Sequence, residues 1–232
     1  TGAIYGTAMH KLRAQGRVGV KFPVEPGYPL VSAWDLGIND ATAIWAAQVV
    51  GYELRWRKFY QSSGKELAEY AEVIRAWERE LGVSFSYHLL PHDGTRRSWG
   101  GDPLTILRKT GIGGKFIRVP RIPNVWMGID SVRKVLKSSV FHEDCLIECV
   151  GEGDVKLLSG VDCVCTYRKK TVLENGVSRD VPEHNEASHG ADAARTLGEG
   201  LSRGLVPLAK GFVEQGECVV EEWMEDDEGK SV

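Results

Sequence analysis

Short apolar runs and amphipathic stretches alternate along the chain, and their spacing predicts the order of its strands and helices. Three apolar runs in the first half, the second and third separated by Gly51, predict three consecutive antiparallel strands. These strands cover residues 30–35, 41–50 and 52–60. Residues 1–29 are rich in glycine and proline, and we expect them to form a linker or lead-in with a short helix near residues 5–15.

The remaining pattern alternates between helical and extended spacing. Helices are expected at residues 65–81 (capped by Ser62 or Ser63), 102–110, 125–138 and 186–203, and strands at residues 85–90 and 115–119. Signals in the third quarter are weaker. There we expect a helix near residues 152–159 and a hairpin that runs from Cys163 through Val172 to a turn at Asn175-Gly176.

The composition fits one folded domain followed by a different tail. With 232 residues, of which 42% are hydrophobic, the chain can bury a full core as one domain. The net charge of -3 includes an acidic segment beyond Phe212, without which the chain is mildly basic and suits a polyanionic partner. We expect an α/β three-layer sandwich at residues 30–205, with a mixed sheet, its first three strands antiparallel, and helices on both faces. Residues 206–232 are expected to be a flexible acidic tail.

Two classes of protein are disfavoured by the composition. No apolar run approaches the ~18–20 residues of a membrane span, so no membrane partner is expected. The five cysteines lack the paired spacing of a zinc site and are expected as reduced thiols, with Cys163 and Cys165 on one face of a strand.

Three aspartates occupy positions where side chains of an α/β sheet can meet. Asp35 ends the first predicted strand, and Asp93 follows the strand at residues 85–90. Asp192 lies in the first two turns of the last helix. Because ligands of α/β proteins bind beside strand ends, the three carboxylates can converge there. Mg²⁺ and Mn²⁺ take carboxylate and water oxygens, and two such ions about 3.5–4 Å apart can promote an in-line phosphoryl displacement.

Each of these residues also has an ordinary structural explanation, and both interpretations stay open on spacing alone. Asp35 and Asp40 suit an Asx turn, and Asp93 suits the turn that follows its strand. Asp192 lies near a helix start, where the dipole favours an acidic side chain. Asp40 and His189 are further candidate metal ligands, although His189 can equally be a histidine at the edge of the core.

Three segments resemble the motifs of the nuclease domain of phage terminase large subunits. They are Asp35-Leu36-Gly37-Ile38-Asn39-Asp40-Ala41-Thr42-Ala43-Ile44, Leu90-Pro91-His92-Asp93-Gly94 and Ser188-His189-Gly190-Ala191-Asp192-Ala193-Ala194-Arg195. A fourth segment, Gly128-Ile129-Asp130-Ser131-Val132-Arg133, is similar to a helix between the second and third motifs. The resemblance covers roughly residues 30–200 and implies an RNase H-like fold. It also implies that Asp35, Asp93 and Asp192 are the catalytic metal ligands, with His189 near the metals.

The resemblance carries a function and partners with it. In that family the domain cuts concatemeric double-stranded viral DNA with a divalent metal during genome packaging, in the cytoplasm of the host cell. It acts beside an ATPase motor domain, a portal and a small terminase subunit. One departure concerns the segment before the last motif, which often reads His-Asp in the family and is His184-Asn185 here. Asn185 is therefore not expected to be a charged metal ligand.

A P-loop for an ATPase motor is missing from this sequence. The nearest segment is residues 111–116. Lys109, two positions before it, stands where the first glycine is needed, and Phe116 stands where a serine or threonine must hold magnesium. We therefore expect an excised nuclease domain without ATPase activity.

Basic residues near the candidate site are expected to contact DNA phosphates, because a nuclease with little sequence preference depends on backbone contacts. Arg96 and Arg97, which follow Asp93 closely, are the first candidates. Further candidates are Lys109, Lys115, Arg168, Lys169 and Lys170.

Two other functions fit parts of the pattern. Asp35-Leu36-Gly37 followed by Thr42 also resembles the first phosphate loop of actin-like ATPases and sugar kinases. That class needs a second glycine-rich phosphate loop after a later strand, for which Asp93-Gly94-Thr95 is a poor substitute. A catalytically inactive interaction module is expected if the three aspartates do not converge.

Overall fold

The structure is a computed structural model that describes residues 2–37, 40–92, 101–174 and 177–207. The α-helices in these ranges are α1 (Gly6–Ala14), α2 (Leu67–Leu81), α3 (Pro103–Lys109), α4 (Val125–Leu136), α5 (Gly160–Thr166) and α6 (Ser188–Ser202). The strands are β1 (Val18–Val20), β2 (Leu30–Asp35), β3 (Thr42–Val50), β4 (Glu53–Ser62), β5 (Tyr87–Leu90), β6 (Lys115–Arg118), β7 (Ser139–His142), β8 (Cys149–Val150), β9 (Lys156–Leu157), β10 (Lys169–Glu174) and β11 (Val177–Pro182). None of the described helices is long and apolar enough to cross a membrane.

Seven of these strands form one mixed sheet, in the order β1-β7-β4-β3-β2-β5-β6. Strands β2, β3 and β4 pair antiparallel, which confirms the three consecutive antiparallel strands that the sequence predicts. On either side of them, β5 pairs in parallel with β2, and β7 pairs in parallel with β4. Strand β7 is an addition to the predicted pattern, because its four buried residues follow α4 too closely to give a separate signal.

Helices cover both faces of the sheet, as the alternation of side chains along its strands requires. Trp34 and Ile44 belong to a core shared with α2 and α3. Ala33 precedes Trp34 and Trp45 follows Ile44, so both point to the opposite face. They belong to the core on that face, which is shared with α1, α4, α5 and α6. The predicted three-layer α/β sandwich is confirmed.

The segment before β2, residues 1–29, was expected to be a linker or lead-in, and part of it contributes to the main core. Met9 of α1 is buried there, and β1 pairs in parallel with β7 at the edge of the sheet. A strand of three residues is too short for its pattern to be visible in the sequence. The division into a lead-in, a domain at residues 30–205 and a tail at residues 206–232 stays a prediction, and most of the tail lies outside the described residues.

The region before the hairpin differs from the predicted pattern. The helix expected near residues 152–159 is wrong, because the chain forms a 3₁₀ turn and strand β9 there. A helix starts only afterwards, at α5, where the hydroxyl of Ser159 accepts a hydrogen bond from the backbone N–H of Asp162 at 3.1 Å. Cys163 consequently lies in α5 and not on a strand, so the hairpin of β10 and β11 begins later than expected.

Helix α2 is capped differently from the prediction. Strand β4 continues to Ser62, and neither Ser62 nor Ser63 is the cap. Glu66 instead accepts a hydrogen bond from the backbone of Glu69, whose carboxylate accepts one from the backbone N–H of Glu66 at 2.8 Å. This reciprocal pair satisfies two backbone donors at the start of the helix.

Candidate metal centre

Two carboxylates, Asp35 and Asp40, flank the loop between β2 and β3. Asp35 is the last residue of β2 and lies opposite Ala43 of β3. The loop is closed by the hydroxyl of Thr42, which accepts a hydrogen bond from the backbone N–H of Gly37 and donates one to its carbonyl, both at 3.1 Å. A Cβ at Gly37 would lie 2.5 Å from the carbonyl oxygen of Ala41, so a side chain there would force the loop apart. This tight loop turns Asp40 back toward the strand end.

Helix α6 brings two further site residues to the same edge. It packs across β2, β3 and β5, and the indole N–H of Trp45 donates a hydrogen bond to the carbonyl of Gly190 at 2.8 Å. The buried His189 lies between the two loop carboxylates. Its Nδ1 is 3.4 Å from Oδ2 of Asp35, and its Nε2 is 2.8 Å from Oδ1 of Asp40.

His184, in the segment before α6, also reaches this cluster and was not among the predicted site residues. Its Nε2 is 2.9 Å from Oδ2 of Asp40. One ligand atom each from Asp40, His184 and His189 all lie within 4.8 Å of one another. In the sequence, His184 and His189 lie on either side of the predicted helix start, which is the one signal for His184. The contact of His184 with Asp40 depends on the loop geometry. The neighbouring Asn185 accepts a hydrogen bond from the backbone N–H of Ala187 at 3.0 Å and so caps the turn.

Asp192 completes the group from the second turn of α6. Nη1 of Arg195 is 3.0 Å from its Oδ1, and the hydroxyl of Tyr167 is 3.4 Å from the same oxygen. Burial raises the pKa of Asp192 to about 6, Arg195 counteracts this rise, and the negative charge of Asp35 adds to it. Asp192 is three positions after His189, which contacts Asp35, so the side chains of His189 and Asp192 lie on one face of α6.

The pKa values of His189 and Asp40 are shifted toward the charged forms of these two groups. Burial alone would lower the pKa of His189, but the hydrogen bond and charge of Asp35, with the charge of Asp40, raise it on balance. Burial alone would raise the pKa of Asp40, but the charge of His189 and the hydrogen bond to His184 lower it on balance. The charge of the protonated His189 imidazole thus favours the charged carboxylates of Asp35 and Asp40.

Arg195 is held in place by a close approach of α4 and α6. Its Nε is 3.5 Å from Oε1 of Glu199. A Cβ at Gly128 of α4 would lie 2.2 Å from that oxygen and 2.6 Å from Cδ of Arg195. The absence of a side chain at Gly128 therefore makes room for the pair that supports Asp192.

Three of the predicted site residues, Asp93, Arg96 and Arg97, lie outside the described residues. The strand that leads to Asp93 does end beside Asp35. Strand β5 pairs in parallel with β2, with Leu89 opposite Ala33, and β5 ends at Leu90.

The remaining candidate DNA contacts fall into two groups. Arg168, Lys169 and Lys170 directly follow Tyr167, whose hydroxyl contacts Asp192, so the base of the hairpin lies beside the site. Arg168 pairs with Glu183, and Lys169 pairs with Asp180. In contrast, Lys115 at the start of β6 lies opposite Tyr87 at the start of β5, which is the end of the sheet away from Asp35. Lys109 ends α3, shortly before Lys115, and the structure brings neither lysine to Asp35.

The sequence matches no family model and no curated protein, whereas the structure is similar to several solved structures. The large terminase of a thermophilic bacteriophage is 18% identical with a TM-score of 0.56, over 84% of this chain and 44% of that chain. The nuclease domain of the P22 large terminase is 14% identical with a TM-score of 0.54, over 82% of this chain and 89% of that chain. The large terminase nuclease of another thermophilic phage, G20c, with bound cobalt is 10% identical with a TM-score of 0.52, over 84% and 97%.

These likenesses establish the fold. The chain has the RNase H-like α/β fold of phage large terminase nuclease domains, so the fold and the resemblance drawn from its motifs are confirmed at that level. The chain spans less than half the length of the first of these large terminases.

Proposed function

We propose that this chain is a divalent-metal-dependent endonuclease that cuts double-stranded DNA with Asp35, Asp93 and Asp192 as its catalytic residues. The observation that carries the proposal is the contact of His189 with Asp35 at the end of β2. Asp192 is three positions after His189 and therefore lies on the same face of α6, toward the same edge of the sheet. An inactive interaction module was the alternative if the aspartates did not converge, and the placement of Asp35 and Asp192 on either side of the His189 contact supports the nuclease instead.

The side chains suit a hard divalent cation. Two carboxylates that repel each other become more stable when a cation lies between them, and carboxylate oxygens are the ligands that Mg²⁺ and Mn²⁺ prefer. Two such ions, when bound, would supply charge neutralisation at the phosphodiester and an activated water. The bound cobalt of the G20c nuclease supports a divalent ion in this fold.

The protein's own groups hold the carboxylates in position. Asp35 is fixed by its place at the end of β2, and Asp192 is fixed by Arg195 and Tyr167. His189 contacts the carboxylates of both Asp35 and Asp40 and links the loop to α6. These contacts orient the oxygen ligands, as the groups around a metal centre do.

The proposed substrate is concatemeric viral DNA during genome packaging in the cytoplasm of the host. The proposed partners are an ATPase motor domain, a portal and a small terminase subunit, and residues 30–205 are proposed as the nuclease domain. The basic hairpin base at Arg168, Lys169 and Lys170 supports contact with DNA beside the site. An open cleft of about 520 Å³ next to it is lined by Arg133 and Lys169, among others.

Cleavage of plasmid DNA tests the proposal. We expect nicking and linearisation in Mg²⁺ or Mn²⁺, inhibition by EDTA, and a loss of at least about 100-fold in Asp35→Asn or Asp93→Ala, since even residues that support metal ligands cost 10–100-fold. Asp130→Asn, an exposed aspartate on α4, is the matched control and should cut normally. Undiminished cleavage by Asp35→Asn or Asp93→Ala would refute the assignment.

The salt dependence of DNA binding tests the phosphate contacts. The slope of log affinity against log salt concentration is negative for DNA binding. The double variant Arg96→Ala/Arg97→Ala should make it less steep by about 2, because each lost phosphate contact removes about 0.9. Lys109→Ala/Lys115→Ala is the control, because both lysines lie away from Asp35. An unchanged slope in the arginine variant, or an equal change in the control, would contradict this placement.

A further inference from the structure

Asp40, His184 and His189 come from three separate segments, namely the β2–β3 loop, the segment before α6 and α6 itself. One ligand atom from each lies within 4.8 Å of the others. We propose that these residues form an imidazole-containing cation subsite that takes a transition-metal ion such as Zn²⁺ or Co²⁺, beside the carboxylates Asp35 and Asp192. Its part in cleavage rests on the proposed nuclease function, whereas ion binding can be measured without DNA.

The distances between the ligand atoms suit a small divalent ion. Oδ1 of Asp40 is 2.8 Å from Nε2 of His189, and Oδ2 of Asp40 is 2.9 Å from Nε2 of His184. Ligands of a tetrahedral Zn²⁺ lie roughly 3.3 Å apart, as bond lengths of about 2.0–2.1 Å require. Small side-chain movements therefore bring the observed group to that geometry.

Nε2 of His184 faces Asp40, and a hydrogen bond at its other ring nitrogen, Nδ1, orients the ring. Metal-bound histidines are usually oriented in this way. The hydroxyl of Ser188 donates its proton to the carbonyl of Asn185 at 2.6 Å, and it lies 3.1 Å from Nδ1 of His184. Because that hydroxyl has a single proton, it accepts at His184, and Nδ1 carries the hydrogen. In the neutral ring, the lone pair of Nε2 then points at Asp40, and either a ring proton or a bound metal ion has to lie between these two acceptors.

His189 has a related arrangement. Both of its ring nitrogens face a carboxylate, Asp35 on one side and Asp40 on the other. A protonated imidazole donates to both carboxylates, whereas a neutral imidazole can donate to only one of them. A metal ion at Nε2 would leave the hydrogen on Nδ1 for Asp35, which is the carboxylate–histidine–metal arrangement that supports many metal sites.

The mixture of ligands gives the subsite its selectivity. Two imidazole nitrogens and one carboxylate favour Zn²⁺ or Co²⁺, whereas Mg²⁺ binds through carboxylates and retains water. His184 is thus a residue that determines metal preference, and Mg²⁺ has no need of it. His184 is 71% exposed at its side chain, so its removal should leave the fold intact.

Calorimetric titration with Zn²⁺ and with Mg²⁺, in the absence of DNA, tests the subsite. Compared with the wild type, His184→Ala should bind Zn²⁺ at least about tenfold more weakly and should bind Mg²⁺ equally well. His10→Ala, which removes an exposed histidine on α1, is the matched control and should behave as the wild type. Equal Zn²⁺ affinities of His184→Ala and the wild type would overturn the proposal.

The nitrogen ligands can be observed directly by ¹⁵N NMR of histidine side chains. Saturating Zn²⁺ should shift the Nε2 resonances of His184 and His189, and Asp40→Asn should reduce the affinity for that shift. Unshifted Nε2 resonances at saturation would reject the subsite. A protein that shows these shifts but does not cut DNA would refute the nuclease proposal and leave the subsite intact, so the two failures are distinguishable.

Discussion

Two clusters of ionisable side chains on this sheet differ in how their charges are balanced. In the first, the Asp144 cluster, Oδ2 of Asp144 lies 2.5 Å from Nη1 of Arg57 and 3.0 Å from Nζ of Lys58. Burial alone would raise the pKa of Asp144, but these two cations lower it on balance. The acid has more than enough positive charge around it, and it needs no further cation.

The second, the Asp192 cluster, has the opposite balance. Its members among the described residues are Asp35, Asp40, His184, His189, Asp192 and Arg195. Three carboxylates face one permanent cation, and the pKa of Asp192 is raised to about 6 by burial and by Asp35, despite Arg195. A perturbed pKa alone does not separate a structural network from a functional site. The charged partners separate the two clusters here, because Asp144 lies against two cations, whereas Asp192 is paired with one, Arg195.

Neutralising an acid of the Asp192 cluster should give the largest difference. Asp192→Asn is expected to reduce metal-dependent cleavage by at least about 100-fold. The same change should raise the free energy of unfolding at neutral pH by about 1–3 kcal/mol, because folding raises the pKa of this carboxyl from 3.8 to about 6 and so disfavours its charged form. Plasmid cleavage, together with urea unfolding in the absence of added metal, tests this pair of effects. A destabilised variant that still cuts would contradict it.

Neutralising the acid of the Asp144 cluster should do the reverse. Asp144→Asn leaves Arg57 and Lys58 partly buried with one fewer counter-charge, and we expect the free energy of unfolding to fall by about 2–3 kcal/mol. The cleavage rate of the folded variant should be unchanged. Loss of cleavage with unchanged stability would show that the assignments of the two clusters are exchanged.

The pH dependence of stability should separate the clusters by a smaller effect. The folded pKa of Asp144 lies below its unfolded value of 3.8, so its stabilisation is present above that pH and is lost as the pH falls through the folded pKa. The wild type should therefore lose more stability than Asp144→Asn on acidification below about pH 4, as followed by urea midpoints. Parallel curves for the two proteins would show that Asp144 contributes no such linkage.

Much of the fold was predictable because its signals are local. The helical spacing of Leu67, Tyr70 and Ile74 and the apolar runs of β2, β3 and β4 report burial directly. The errors arose where a local pattern had two meanings. Cys163 and Cys165 are two positions apart, as on a strand, but the cap at Ser159 starts a helix there.

The candidate site was predictable in part. Asp35 and Asp192 stood out because strand ends and helix starts meet at the edge of an α/β sheet. His184 did not stand out, because its contact with Asp40 joins residues that are far apart in sequence through a tight loop. No spacing rule describes such a contact. The role of Asp93, which lies outside the described residues, stays a prediction.

In the proposed function, the unbalanced charge of the Asp192 cluster serves to bind divalent cations. Anomalous diffraction from crystals grown with Mn²⁺ tests it most directly, because the ion is located without reference to activity. We expect anomalous density between the carboxylates of Asp35 and Asp192, and none at Asp144. An empty Asp192 cluster at saturating Mn²⁺, or an ion bound at Asp144 instead, would contradict it.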